Sequence, residues 1–435
     1  MHVSVESTST LGRKMKVEVP AERVEEEIAK RLQSMTRTVR VHGFRPGKVP
    51  LKVVRQRFGE QVKRDVMGEL LQKTFLEALD RERLRPAGTP KIEAGDLAAQ
   101  PSLEYTATFE VYPEVAVRGV DALEIRRPVV KIGAEGIDTV IDRLREQRRR
   151  WEPVSRPAQE GDQLTVDFTG TIEGEAFPGG EAEDFSIELG SGRMIPGFEE
   201  QLIGAQAGEE RTVEILFPDD YRDATLAGKK ARFQVKVKEV AEPVLPAVDE
   251  AFAEGFGVKE GGVEAFRSEV RSNMERELRD KIKSKLKEQV MDGLLEHNPI
   301  EVPTPLVKEE IARMRRGAME MVGSSDEDAF PDEQFEAAAR KRVALGLLIN
   351  EIVRHEGLKP EDEKIQSVLE GIASGYEDPQ QVINYYRANR EAMADVGALV
   401  LEEQVVDWVL GRAKVEDEPT TFQALVGTGD SEAED

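Results

Sequence analysis

Near the middle of this chain lies a stretch of more than 30 residues, "GGVEAFRSEVRSNMERELRDKIKSKLKEQVMDGLLEH", that is helical in its spacing and yet thinly apolar. Val263, Phe266, Val270, Met274 and Leu278 recur at helical intervals, charged turns follow, and apolar residues return only at Val290, Met291, Leu294 and Leu295. A helix with so interrupted a stripe cannot be wrapped on all sides by a globular core, so the pattern predicts an elongated arm with much surface. The chain must therefore fold as several bodies, and its 435 residues agree with roughly two to four domains.

The segments before the arm are of three kinds. Residues 1–115 read as an α+β domain. "RKMKVEVP" alternates with Met15, Val17 and Val19 on one side, and "AERVEEEIAKRLQSM" repeats Val24, Ile28, Leu32 and Met35 at helical spacing. "HGFRPGKVP" (42–50) follows, and Pro50 opens a second helical region in which Gly59 predicts a break or kink. "SLEYTATFEVYP" then sets Leu103, Tyr105, Ala107, Phe109 and Val111 against Glu104, Thr106, Thr108 and Glu110, a strand covered on one side. Residues 116–155 read as a structured linker packing with the carboxy-terminal region: "ALEIRRPVVKI" is extended, and Ile137, Val140, Ile141 and Leu144 form a helix stripe. Residues 156–242 are short runs punctuated by glycine, with "DQLTVDFTGTI" and "ARFQVKVKEV" as strands and "IPGFEEQLIGAQAG" as one short helix, a largely antiparallel sheet domain.

Residues 243–428 are read as helical almost throughout, including "AARKRVALGLLINEIVRHEG" and "MADVGALVLEEQVVDWVLGRAKV". Pro299, Pro303 and Pro305 force an extended linker within this region, and residues 429–435 are expected to be a disordered acidic tail. The fold class is thus multidomain α+β, with an elongated all-α carboxy-terminal domain.

Composition narrows the chemistry. The absence of cysteine excludes disulfides, thiolate catalysis and sulfur-bound zinc, and the four histidines (His2, His42, His297, His355) lack ligand spacing, so no metal is expected. There is no GxxxxGK[ST] loop and no GxSxG elbow, and "GSGRMIPG" (190–197) lacks the strand-to-long-helix setting of a dinucleotide site, so no cofactor is expected. No run of 18 apolar residues occurs and the first residues lack a secretory pattern, which predicts a cytoplasmic protein without a membrane partner. The formal charge of −24 is uneven: residues 1–112 hold 20 Lys+Arg against 16 Asp+Glu, a balance of +4, and the remainder holds 41 against 69, or −28. A mildly basic front on an acidic body suggests that the front alone approaches an anionic partner.

Within the glycine-punctuated block, "VDFTG", "GEAFPGG", "FSIELGSG", "MIPGFEEQLIG", "FPDDY" and "RFQVKV" resemble, in order and spacing, the peptidyl-prolyl isomerase domain of the FK506-binding protein family. Position by position, the resemblance implies an apolar substrate cradle. Phe168 and Phe177 would form one wall with Phe185 beside them, Met194 and Ile195 the entrance, Phe198 the floor, and Tyr221 and Phe233 the rest of the bowl. Phe198 stands where the family usually has a tryptophan; Phe168 replaces its usual tyrosine and Pro178 a common acidic residue, and these two losses, of a hydroxyl and a carboxylate, bear on inhibitor affinity more than on catalysis. Rotation about an X–Pro bond needs no nucleophile, only a site that favours the twisted, less polar amide against a barrier of about 18–20 kcal/mol.

"GFRPGKVP" in its turn looks like the signature of the trigger factor family of ribosome-associated chaperones, and the order and length of the domains extend that resemblance over essentially the whole chain. It implies docking on the large ribosomal subunit near the exit tunnel through Phe44, Arg45, Gly47, Lys48 and Pro50, against ribosomal protein and rRNA. It also implies a helical body and arms that hold nascent and unfolded polypeptides without nucleotide turnover, and weak homodimers off the ribosome. The residue types agree: Arg45 and Lys48 offer cations to phosphates or carboxylates, Phe44 an apolar or stacking contact, and Gly43, Gly47, Pro46 and Pro50 shape the turn. Met274, Met291, Met314, Met319 and Met321 are candidates for adaptable client contacts. Two other readings stay open at this point: a freestanding isomerase with a helical dimerisation or targeting module, and an interaction protein whose cleft is vestigial.

Overall fold

In the computed structural model, the alternating "LEYTATFEV" is a strand whose inward residues Leu103, Tyr105 and Ala107 are all but inaccessible. The structure describes residues 1–42, 44, 48–95, 101–219, 221, 223 and 225–427. Gly43, Arg45, Pro46 and Gly47 and the tail 429–435 therefore lie outside the described residues. The chain divides into two units, residues 1–127 with 283–418, and residues 128–282 with 419 onward.

In the first unit, β1 (His2–Ser7), β2 (Gly12–Val19), β3 (Pro86–Ala94) and β4 (Leu103–Val111) form a four-stranded antiparallel sheet ordered β1-β2-β4-β3. The helices Ala21–Thr38 and Leu51–Glu82 share one core with it, where Met15, Val17 and Val19 meet Val24, Leu32, Val54, Val66 and Leu70. Phe75 packs edge-on against Phe109 at 5.8 Å, and the hydroxyls of Thr74 and Tyr105 satisfy each other at 3.0 Å inside the core. Contrary to expectation, Gly59 does not break the second helix, which is continuous from Leu51 to Glu82. A lone glycine costs a helix only about 1 kcal/mol, and the burial of Val54, Val62 and Val66 on either side of it outweighs that.

The same unit holds a helical core in which Val290, Leu294, Leu348, Ile352, Val405 and Val409 close around Val120, Leu123 and Ile125. Gly293 is what admits Leu123, whose Cδ2 lies 2.8 Å from where a Cβ would stand. The helix Arg390–Leu410 stops sooner than expected. After Gly411 the chain becomes a strand, Lys414–Pro419, that pairs with Glu124–Val129 in a two-stranded sheet. The prolines act a little differently too: Pro303 caps the helix Thr304–Val322, and Pro305 sits in its first turn, where the missing N–H costs nothing.

The second unit is organised on a five-stranded antiparallel sheet. With Glu124–Val129 counted as β5, its strands are β6 (Arg150–Pro153), β7 (Gln163–Ile172), β8 (Glu175–Glu188), β9 (Glu210–Leu216) and β10 (Lys230–Val244). They run in the order β6-β10-β7-β8, with β9 also paired to β10, and Lys414–Pro419 is then β11. The expected short helix after Ile195 is a single 3-10 turn, Glu200–Leu202. Gly197, Gly204 and Gly208 all take positive φ (86, 82 and 86°), which keeps a longer helix from forming. Beside the sheet, Ile137 and Ile141 of the helix Ala134–Gln147 pack with Phe252, Phe266, Val270 and Met274.

The thinly apolar arm is one helix, Gly262–His297, of 36 residues and about 54 Å. Its methionines correct an expectation: Met274 and Met291 are 3% and 6% exposed and serve the two cores, so neither is a client contact. Among the described residues no helix is long and apolar enough to cross a membrane.

Candidate active site

The aromatic residues of the second unit are assembled by three local devices. The first is a bulge. Strands β7 and β8 pair Val166 with Phe185 but Phe168 with Ala182, which leaves Glu183 and Asp184 opposite Asp167. Asp184 takes φ 50°, a strained conformation for a residue with a side chain. Its N–H donates to the Asp167 carboxylate at 2.9 Å, while Lys238 bridges Asp167 at 2.6 Å and Asp184 at 2.7 Å. The Lys238 hydrogen bond, helped by the Asp184 N–H, holds Asp167 below the usual carboxylate range, and both carboxylates push Lys238 upward. So pinned, the bulge sets Phe185 edge-on to Phe168 at 5.7 Å.

The second device is a missing side chain. Gly170 pairs with Phe233 across β7 and β10, and a Cβ there would fall 2.5 Å from the Phe233 ring. Glycine lets that ring lie over the strand, where it meets Phe198 at 5.3 Å, Phe168 at 5.8 Å and Phe177 at 6.0 Å, all steeply inclined. Edge-to-face pairs of this kind are worth about 0.5–1.5 kcal/mol each beyond the area they bury.

The third is a buried carboxylate. Glu199, 6% exposed, accepts the backbone N–H groups of Gly190 (2.8 Å), Gly192 (3.2 Å) and Met194 (3.0 Å) and the Ser191 hydroxyl (3.2 Å). Burial opposes its charge, but the four hydrogen bonds prevail and hold its pKa below the ordinary value. One side chain thus fixes the loop that delivers Met194 and Ile195, both half-buried against the same core.

The result is a continuous series of rings, Phe185–Phe168–Phe198–Phe233–Phe177–Phe217–Tyr221, each touching the next. Phe198 and Phe233 are buried, Phe168 and Phe177 half-buried, and Phe185 and Tyr221 are exposed at the two ends. All eight residues expected for the cradle are therefore together. Sequence reasoning missed four that assemble it: Phe217, which links Phe177 to Tyr221, together with Asp167, Gly170 and Glu199. Each stands inside a motif already quoted, at a position where only a partner in space reveals its use. The carboxylates beside Phe168 and Phe198 are both occupied, Asp167 by Lys238 and Glu199 by backbone N–H groups, so the chemistry on offer is an apolar, aromatic surface that can seat a proline ring and lower the barrier to amide rotation.

In the first unit, the segment 42–50 connects the helices Ala21–Thr38 and Leu51–Glu82. Val41 and Val49 are buried in the core at 6% and 4% exposure, and between them Phe44 is 40% exposed, its N–H donating to the Val41 carbonyl at 3.1 Å. Lys48 and Pro50 are exposed, and Pro50 caps the second helix. Two apolar anchors thus hold an aromatic and a cation out in solvent.

A five-stranded antiparallel sheet enclosing this aromatic bowl is the frame of a prolyl isomerase domain, here set in a larger chain that is mostly helical beyond it. Residues 154–238 match the family described as FKBP-type peptidyl-prolyl cis-trans isomerase. Residues 1–144 match bacterial trigger factor protein, and 262–411 match its carboxy-terminal domain. The chain is 49% identical to the trigger factor of Thioalkalivibrio sulfidiphilus over 98% of both chains. It is 48% identical to that of Stutzerimonas stutzeri, also over 98% of each. A solved trigger factor chaperone aligns at 19% identity over 94% of this chain and 99% of that one, with a TM-score of 0.49. On the sequence matches, this chain belongs to the trigger factor family; it is a chaperone with peptidyl-prolyl cis-trans isomerase activity.

Proposed function

We propose that this chaperone docks on the large ribosomal subunit near the exit tunnel through Phe44, Arg45, Gly47, Lys48 and Pro50, in the cytoplasm, and there holds apolar segments of nascent chains without nucleotide turnover. Support comes chiefly from Phe44, a large apolar side chain held 40% exposed between two buried valines. An isolated core would have no use for it there. The acidic body, −28 beyond residue 112, would be repelled by tunnel phosphates except where the front is anchored. Client contacts fall to exposed apolar residues such as Met321 (88%), Val322 (70%) and Tyr385 (61%). Residues 1–115, 116–155, 156–242 and 243–428 act as docking domain, linker, isomerase and chaperone body, and the free protein self-associates weakly.

Catalysis we assign to Phe168, Phe177, Phe185, Met194, Ile195, Phe198, Tyr221 and Phe233 as a binding surface for the twisted prolyl amide. Co-sedimentation with ribosomes tests the docking assignment. Replacing Phe44, Arg45 and Lys48 together by alanine should abolish binding, and raising the salt should weaken it for the intact chain. Unchanged binding by the triple variant would favour a freestanding isomerase with a helical targeting module.

A further inference from the structure

Beside the isomerase bowl is a second concavity, an open groove of about 1200 Å³ in the same unit. Its walls include Arg143, Arg149, Trp151, Glu188 and Arg193. The Arg149 guanidinium lies 4.6 Å over the Trp151 ring and is paired with Glu188, so that the one is neutralised by the other and the indole is held as a half-buried platform. Arg143 and Arg193 are different. Both are exposed, and among the described residues neither has a carboxylate within ion-pairing distance. The charged lining is Arg143, Arg149 and Arg193 against Glu146 and Glu188, and with Arg149 paired to Glu188 the remainder is two guanidinium groups against one carboxylate, a local reversal of sign in a chain of net charge −24.

The groove also abuts the prolyl site. Ser191 and Arg193 line it, and the next residue, Met194, is the one whose N–H Glu199 holds at the bowl's entrance. The loop fixed by Glu199 therefore has one side on each concavity. A peptide whose proline occupies the bowl needs only a few extended residues, about 3.3–3.6 Å apiece, to run on past this loop. Arg143 and Arg193 would then meet carboxylates at a distance from the proline, and Trp151 would cover apolar stems between them.

We propose that this groove is an extension subsite of the isomerase that selects X–Pro segments carrying acidic residues a few positions from the proline. The assignment rests on the bowl being the prolyl site, and a neutral peptide tests that separately. In the experiment, kcat/KM of the full chain is measured at low salt for matched peptides with one X–Pro bond, flanked on either side by paired glutamates, by glutamines or by lysines. The acidic peptide is expected to react about three to ten times faster than the glutamine peptide, an advantage that disappears in Arg143→Gln/Arg193→Gln and at high salt. The glutamine peptide's rate should be the same in variant and parent. Equal rates for acidic and neutral peptides in the parent chain would overturn the subsite while leaving the prolyl site intact, and no turnover of any peptide would overturn both. A preference that emerges only after deletion of residues 428–435, which include Asp430, Glu432, Glu434 and Asp435, would assign the groove to the chain's own tail and also sink the proposal.

Discussion

The aromatic bowl and the neighbourhood of Phe44 both leave phenylalanine exposed, and they hold it in opposite ways. Each bowl ring is fixed by several neighbours: Phe233 by three rings and a glycine, Phe185 by a pinned bulge, Met194 by a buried carboxylate. Among the described residues Phe44 has as its anchors the buried Val41 and Val49. The difference teaches where binding and stability are coupled. In the bowl the exposed rings are the wall of a core, so altering one alters the other; at Phe44 the proposed docking contact is separate from folding.

Four substitutions probe that contrast. The largest effect is expected from Phe198→Ala, which empties the bowl's floor. It should cost about 3–5 kcal/mol in the unfolding of the isomerase domain and reduce proline-limited refolding activity at least tenfold. Retention of activity in a folded variant would remove the floor from the catalytic surface. Glu199→Gln should cost about 1–3 kcal/mol, because an amide can accept at one atom only and turns a donor toward backbone donors. Since the folded-state pKa of Glu199 lies below its ordinary 4.5, its contribution is complete above about pH 4.5 and is lost as the pH falls through the depressed value. Acid titration of the parent should show that loss, and the glutamine variant should be flat by comparison over the same window. Gly170→Ala pushes the Phe233 ring away from the strand and should lower stability by about 1–3 kcal/mol, with kcat/KM falling more than the fold does. Smallest of all, Phe44→Ala should change unfolding by no more than about 0.5 kcal/mol while weakening ribosome binding. A large loss of stability there would erase the contrast between loop and bowl.

Much of this was legible in the sequence because it depends on periodicity or on motif order. Leu103, Tyr105, Ala107 and Phe109 alternate in the chain and are buried on one side of β4 as that pattern requires. The illegible parts depend on partners distant in sequence. Glu199 is one of 85 acidic residues, and only the three N–H groups converging on it set it apart. Met274 and Met291 fit a client-facing stripe as well as a core, and the choice is made by Ile137 and Phe266 around one and Leu294 and Leu348 near the other. Lys414 and Val415 read in the sequence as the end of a helix, because what makes Lys414–Pro419 a strand is β5, nearly three hundred residues earlier.

That last pairing has a bearing on how the protein comes into being. Val120, Leu123 and Ile125 find their burial against Val405, Val406 and Val409, and the Lys414 N–H is bonded to the Leu123 carbonyl at 2.9 Å. During translation at about 5–20 residues per second, the earlier segment waits roughly 15–60 s with its apolar side uncovered before its partner emerges. A chaperone thus carries in its own chain the kind of uncovered apolar segment that other chains expose while they are made, and that segment is covered only once residues 405–419 have joined it.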